Sequence, residues 1–80
     1  MTDLERIKSW LLETVRLMVD TPDAVRVETI SPTALRIRVH HSDIGKIIGK
    51  TGRTARSIRT ILGAIGMAQG TRYALDIVEG

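Results

Sequence analysis

Gly49-Lys50-Thr51-Gly52 is the stretch of this chain whose residue types and spacing best suit a binding chemistry. Two glycines separated by two polar residues let the backbone turn sharply, and without a Cβ at either end another backbone can press close. The turn falls between two helix-like segments, so the unpaired N–H groups opening the second helix point beside it and favour an anion. Five basic residues, Lys46, Lys50, Arg53, Arg56 and Arg59, fall in this region, and no acidic residue occurs from Ile44 to Leu75. Ile47 and Ile48 place an apolar surface just before the turn. A ligand with phosphates on one side and flat bases on the other suits that combination.

The charge distribution supports it. Residues 1–43 hold six Lys and Arg against seven Asp and Glu, whereas residues 44–80 hold six against two. The formal charge of +3 therefore belongs to the half that contains the glycine turn, as expected of a phosphate-binding face. Trp10 and Tyr73 are the only aromatic residues, which argues against a single-strand binder built on aromatic stacking. No cysteine is present, so disulfides and thiolate metal sites are excluded. Asp3 and Glu5 and the lack of a long apolar run suggest no signal peptide or membrane span, and a soluble, cytoplasmic protein is expected.

The elements that must position the turn follow from periodicity. Thr2 and Glu5 have the spacing of a capping box, and Leu4, Ile7, Leu11, Val15 and Met18 recur at helical intervals, predicting a helix from about Asp3 to Val19. Trp10 and Leu17 widen its core-facing arc, and Pro22 ends the segment. Val25, Val27 and Thr29 alternate with Arg26, Glu28 and Ile30, and Leu35, Ile37 and Val39 with Arg36, Arg38 and His40, which predicts a hairpin across Ser31-Pro32-Thr33. A short helix, Ile44 to Ile48, capped by Ser42 or Asp43, precedes the turn. After it, Ile58, Ile61, Leu62 and Ile65 form a stripe that should cover the sheet. Gly63 and Gly66 inside this helix suggest either fraying or the close approach of another backbone. A third strand, Thr71 to Val78, is expected to turn Tyr73, Leu75 and Ile77 to one side. The 80 residues then form one α+β domain with helices on one face of a three-stranded sheet.

Ile47-Ile48-Gly49-Lys50-Thr51-Gly52, with a helix opening near Arg53, resembles the signature of the KH domain, and the element order α-β-β-α-α-β resembles its type II fold. A chain of this extent is similar to the small bacterial single-KH proteins of the KhpA family, over nearly all its length. The resemblance implies a glycine loop that clamps about four nucleotides of single-stranded RNA while bases lie over an apolar groove. By position, Gly49 and Gly52 allow close phosphate approach, Lys50 supplies charge, and Thr51 donates a hydrogen bond. Ile44, Ile47 and Ile48 wall the groove unless one belongs to the core. The strand Leu35 to His40 closes it, and Lys46, Arg53, Arg56 and Arg36 or Arg38 supply charge near its rim. The family resemblance further implies an RNA chaperone or post-transcriptional regulator that forms a homodimer or pairs with a larger KH-domain protein of the KhpB type. That complex is linked to cell shape and envelope synthesis. The small-residue face Thr60, Gly63, Ala64 and Met67 is compatible with a dimer contact.

Other readings have less behind them. Gly45 to Thr51 reads Gly-Lys-Ile-Ile-Gly-Lys-Thr, but a Walker loop needs four residues between its glycines and here there are three. A helix-turn-helix lacks its usual three-helix setting. A dimerisation or scaffold module with little nucleic-acid affinity remains the alternative. Nothing suggests an enzyme, a metal, a cofactor or a small-molecule substrate. His40 and His41, adjacent in an expected strand, should point to opposite faces, and Ser42 reads as a cap rather than a nucleophile.

Overall fold

The computed structural model describes residues 2–49 and 52–80. Its elements run α1 (Asp3–Arg16), β1 (Arg26–Ser31), β2 (Ala34–Val39), α2 (Ile44–Ile48), α3 (Arg53–Gln69) and β3 (Ala74–Glu79). This is the α-β-β-α-α-β order that the sequence implies. The sheet is ordered β1-β2-β3, with β1 antiparallel to β2 and β3 parallel to it. A parallel neighbour requires a crossover connection, and the α2–α3 pair, with the glycine turn at its middle, provides it.

α1 opens with the expected capping box: the Thr2 hydroxyl accepts from the Glu5 N–H at 3.2 Å, and the Thr2 N–H donates to Glu5 Oε2 at 2.9 Å. It buries Ile7, Leu11 and Val15 and ends at Arg16, a turn earlier than Val19. The reason is a tightened last turn, in which the Met18 N–H reaches back only to Val15 O. Leu17 is consequently 88% exposed rather than part of the core-facing arc.

The core lies between the helices and one face of the sheet. Leu35, Ile37 and Val39 of β2 are fully buried there, with Val25, Ile47, Ile58 and Leu62 around them. The opposite face carries charge, where Arg36 pairs with Asp76 at 3.1 Å and Arg38 pairs with Glu28. Val25 precedes β1, the register shifts between Thr29 and Ser31, and Ile30 is exposed, as its place in the alternation with Arg26 and Glu28 suggests.

α3 buries Ala55, Ile58, Leu62 and Gly66, so its inward stripe is rotated from the expected one and Ile61 is 46% exposed. The cause is at Gly66: a Cβ there would stand 2.2 Å from Thr71 O. Gly66 is the point where the following chain crosses against the helix. Gly70, at φ 70°, ends α3, and the Thr71 N–H returns to Gly66 O at 2.8 Å, a glycine-terminated C-cap. Residues 71–73 are spent on this reversal, so β3 begins at Ala74 rather than Thr71.

Candidate nucleic-acid interface

The two described glycines of the turn both take backbone angles that suit glycine. Gly49 has φ 69° and ψ 165°, Gly52 φ 69° and ψ 15°, and the Gly52 N–H donates to Gly49 O at 3.4 Å. Lys50 and Thr51 lie outside the described residues. Gly52 starts α3 without a side chain to cap it, and the first turn of α3 carries no acidic residue. The N-terminal N–H groups of a 17-residue helix thus open beside the turn, where the helix dipole favours negative charge.

Beside them runs a groove of about 630 Å³ lined by Ile48, Gly52, Ala55, Arg56, Arg59, Thr60, Asp76 and Ile77. α2 and α3 form one wall and β3 the other. The expected closing strand, Leu35 to His40, is not at the groove, because β2 is the central strand and its apolar side chains are consumed by the core. β3 is an edge. The Ala74 N–H donates to Thr33 O and the Gly80 N–H to Val39 O, so even-numbered positions face β2 and odd-numbered ones present N–H and C=O to the open side. Leu75 O accordingly accepts from Arg59 Nη2 at 3.2 Å, and Ile77 directs its backbone groups the same way, into the groove.

The three isoleucines have separate roles. Ile48 is 43% exposed and lines the groove, Ile47 is fully buried in the core, and Ile44 packs half-buried against that core. Of the basic side chains, Arg56 and Arg59 reach the groove. Lys46 does not, because its ammonium pairs with Asp20 at 2.9 Å on another side of α2, and Arg53 borders a cleft between α1 and α3 with Trp10 and Met18. Arg36 touches the groove only through Asp76, and Arg38 is held by Glu28. Arg59 sits one turn after Arg56 and was available from helical spacing. Ile77 and Asp76 were not, since nothing in a linear pattern says which strand a crossover places at the edge.

Asp43 holds α2 in place. The sequence suggests a cap at Ser42 or Asp43, yet Asp43 makes no side-chain cap bond to α2. Its carboxylate is fully buried and accepts from the Asp20 N–H at 3.2 Å and the Thr21 N–H at 3.0 Å. Burial alone would raise this carboxyl. The two backbone donors, with Lys46 and His40 nearby, outweigh it and hold the group below its ordinary value. Asp20 in turn holds the Lys46 ammonium above its own. His40 and His41 are not on opposite faces of a strand, because β2 stops at Val39 and a 3-10 turn, His41–Asp43, follows. Their rings lie 4.2 Å apart, centre to centre, and His40 Nδ1 accepts from the Ser42 N–H at 3.2 Å.

Comparison with known proteins agrees with the fold. The family model described as KhpA/KhpB, KH domain, matches residues 8–77. The chain belongs to that family. As a KH domain it is 42% identical to the RNA-binding protein KhpA of Bacillus subtilis, over 99% of this chain and all of that protein. It is 48% identical to the protein of the same name from Treponema pallidum, over 80% of this chain and 84% of the other. The Streptomyces coelicolor protein of that name is 46% identical over 81% and 82%. No solved structure gives a significant match. Among the described residues of this KH domain, no helix is long and apolar enough to cross a membrane.

Proposed function

We propose that the chain binds single-stranded RNA by the phosphate backbone at Gly49-Lys50-Thr51-Gly52 and lays bases along the groove between α3 and β3. The observation that carries this reading is the groove itself. Its floor has the apolar Ile48, Ala55 and Ile77, its helix wall bears Arg56 and Arg59, and it begins at Gly52, which has no side chain to cap the first N–H groups of α3. The open edge of β3 adds donors and acceptors to which an unpaired base edge can bond, which a base inside a duplex cannot do. The curated relatives carry RNA-binding in their names, which supports RNA as the ligand.

A surface with so few cations binds in the micromolar range and is sensitive to salt. Function at cellular concentrations then needs a second module, through effective concentration. A cytoplasmic complex with a second copy or a larger KH-domain protein of the KhpB type supplies one, and through it the chain acts as an RNA chaperone or post-transcriptional regulator with effects on cell shape and envelope synthesis.

Fluorescence anisotropy with single-stranded RNA, single-stranded DNA and duplex DNA at two salt concentrations tests the reading, comparing wild type with Lys50→Asp/Thr51→Asp and with Arg56→Ala. Single strands bind, the double variant loses binding while its circular dichroism is unchanged, and Arg56→Ala lowers the salt slope by about 1. Binding that survives in the folded double variant overturns the clamp.

A further inference from the structure

One acid stands among the residues that line the groove. No Asp or Glu occurs between Asp43 and Asp76, so negative charge enters only where β3 arrives, and Asp76 lines the wall opposite Arg56 and Arg59. A carboxylate repels phosphates, so a groove that gripped the backbone alone would bind more tightly without it. Asp76 is also held in place. Arg36 Nε donates to its Oδ2 at 3.1 Å across the parallel pairing of β2 with β3, which leaves Oδ1 of this half-exposed side chain for a ligand. Leu75 O is already taken by Arg59 Nη2, and the next backbone groups along the edge that point into the groove are the N–H and C=O of Ile77. β3 therefore sets a backbone donor, the Ile77 N–H, next to a charged acceptor, the Asp76 carboxylate.

The four bases meet such a pair differently on their Watson–Crick edges. Guanine presents an acceptor, O6, followed by two adjacent donors, N1–H and N2–H. Adenine and cytosine each offer one amino group beside a ring nitrogen that accepts, and uracil offers one N–H between two carbonyls. Each of these three turns a lone pair toward the carboxylate. We infer that Asp76 reads the base and selects guanine at the position that meets β3: N1–H and N2–H donate to its carboxylate, and O6 accepts from the Ile77 N–H. The inference rests on the reading of the groove as an RNA site. Hydrogen bonds to a charged acceptor are about twice as strong as neutral ones, and the phosphates lie on the opposite, cationic wall. Asp76 thus weakens every strand somewhat and restores binding only to strands that place guanine against it.

RNA pools about four nucleotides long, with one position fixed as guanine, adenine, cytosine, uracil or inosine and the rest randomised, test this by amide-resolved NMR titration. At one position the guanine pool should bind about tenfold more tightly than the uracil pool and move the Ile77 amide furthest. It should also bind more tightly than the inosine pool, because inosine lacks the 2-amino group. Asp76→Asn should remove the preference without lowering affinity for the uracil pool. Arg36→Gln breaks the same ion pair but keeps the carboxylate, and should retain the preference. Equal affinities of all pools for the wild type, or a guanine preference that survives in Asp76→Asn, would overturn the proposal. So would a preference lost equally in Arg36→Gln, since the ion pair and not the carboxylate would then be responsible, or an Asp76-dependent preference for another base. No response to any pool would instead condemn the groove reading, and guanine selection with it.

Discussion

Replacing Gly66 with alanine tests how α3 meets the strand that follows it. In an exposed helix interior the change gains about 1 kcal/mol from helix propensity. Here the new Cβ would lie 2.2 Å from Thr71 O, 3.3 Å from Thr71 C and 3.4 Å from the Tyr73 ring. The first two are backbone atoms, and Thr71 is also bonded through its N–H to Gly66 O at 2.8 Å, so neither swings aside as a flexible side chain would. Relief requires the reversal at residues 70–73 to move by about an ångström. Overpacking costs about 1–3 kcal/mol, and a shift of backbone puts this site in the upper part of that range, which leaves a net loss of about 1–2 kcal/mol after the propensity gain. In a domain of 80 residues each kcal/mol moves the midpoint by about 4–8 °C, so Tm should fall by about 5–15 °C. Gly63→Ala is the matched control. No described atom outside its own helix lies within 4 Å of a Cβ there, so it should gain about 0.5–1 kcal/mol and raise Tm by a few degrees. Thermal melts by circular dichroism read both. A Gly66→Ala variant that melts at or above wild type would refute the close approach, and equal losses in both would refute the idea that packing rather than helix content sets the sign.

Two further outcomes are expected. Asp43→Asn removes one carboxylate oxygen from the Asp20 and Thr21 N–H groups, so it should lower Tm at neutral pH; because the folded Asp43 titrates below the unfolded group, its contribution is full above the ordinary carboxylate range and lost as pH falls through the depressed value, so acid melts of wild type and variant should converge, and parallel curves down to the lowest pH would show that the buried carboxylate does not set the difference. Gly49→Ala forces a side chain into φ 69°, ψ 165°, which costs about 1–3 kcal/mol where the surroundings hold the angle; urea melts should show that loss, and a midpoint equal to wild type would mean that the turn relaxes freely.

Much of this architecture is legible in the sequence because its signals are local. The Thr2–Glu5 capping box and the alternation in Leu35–Val39 each rest on neighbours within a few residues, and each appears where the spacing puts it. What was not legible depends on the crossover. Whether Gly63 or Gly66 meets another backbone, which strand edges the groove, and that Lys46 turns to Asp20 rather than to the groove are settled by contacts between distant segments. Asp43 is the clearest case. An acidic residue just before a helix reads as a cap, and only the return of the chain at Asp20–Thr21 offers its carboxylate two better donors.

That carboxylate also bears on where the chain can be altered without harming the groove. α2 has five residues, too few for a helix to persist by its own hydrogen bonds. It is moored at one end by Asp43 and alongside by the Lys46–Asp20 pair, both to the segment that leaves α1. The linker at Asp20–Thr21, remote in sequence from the glycine turn, is therefore its foundation. A loop graft, an insertion or a tag placed there would unsettle the position of Ile48 and Gly49, whereas the hairpin tip at Pro32–Thr33 touches neither mooring and is the better place to attach a probe.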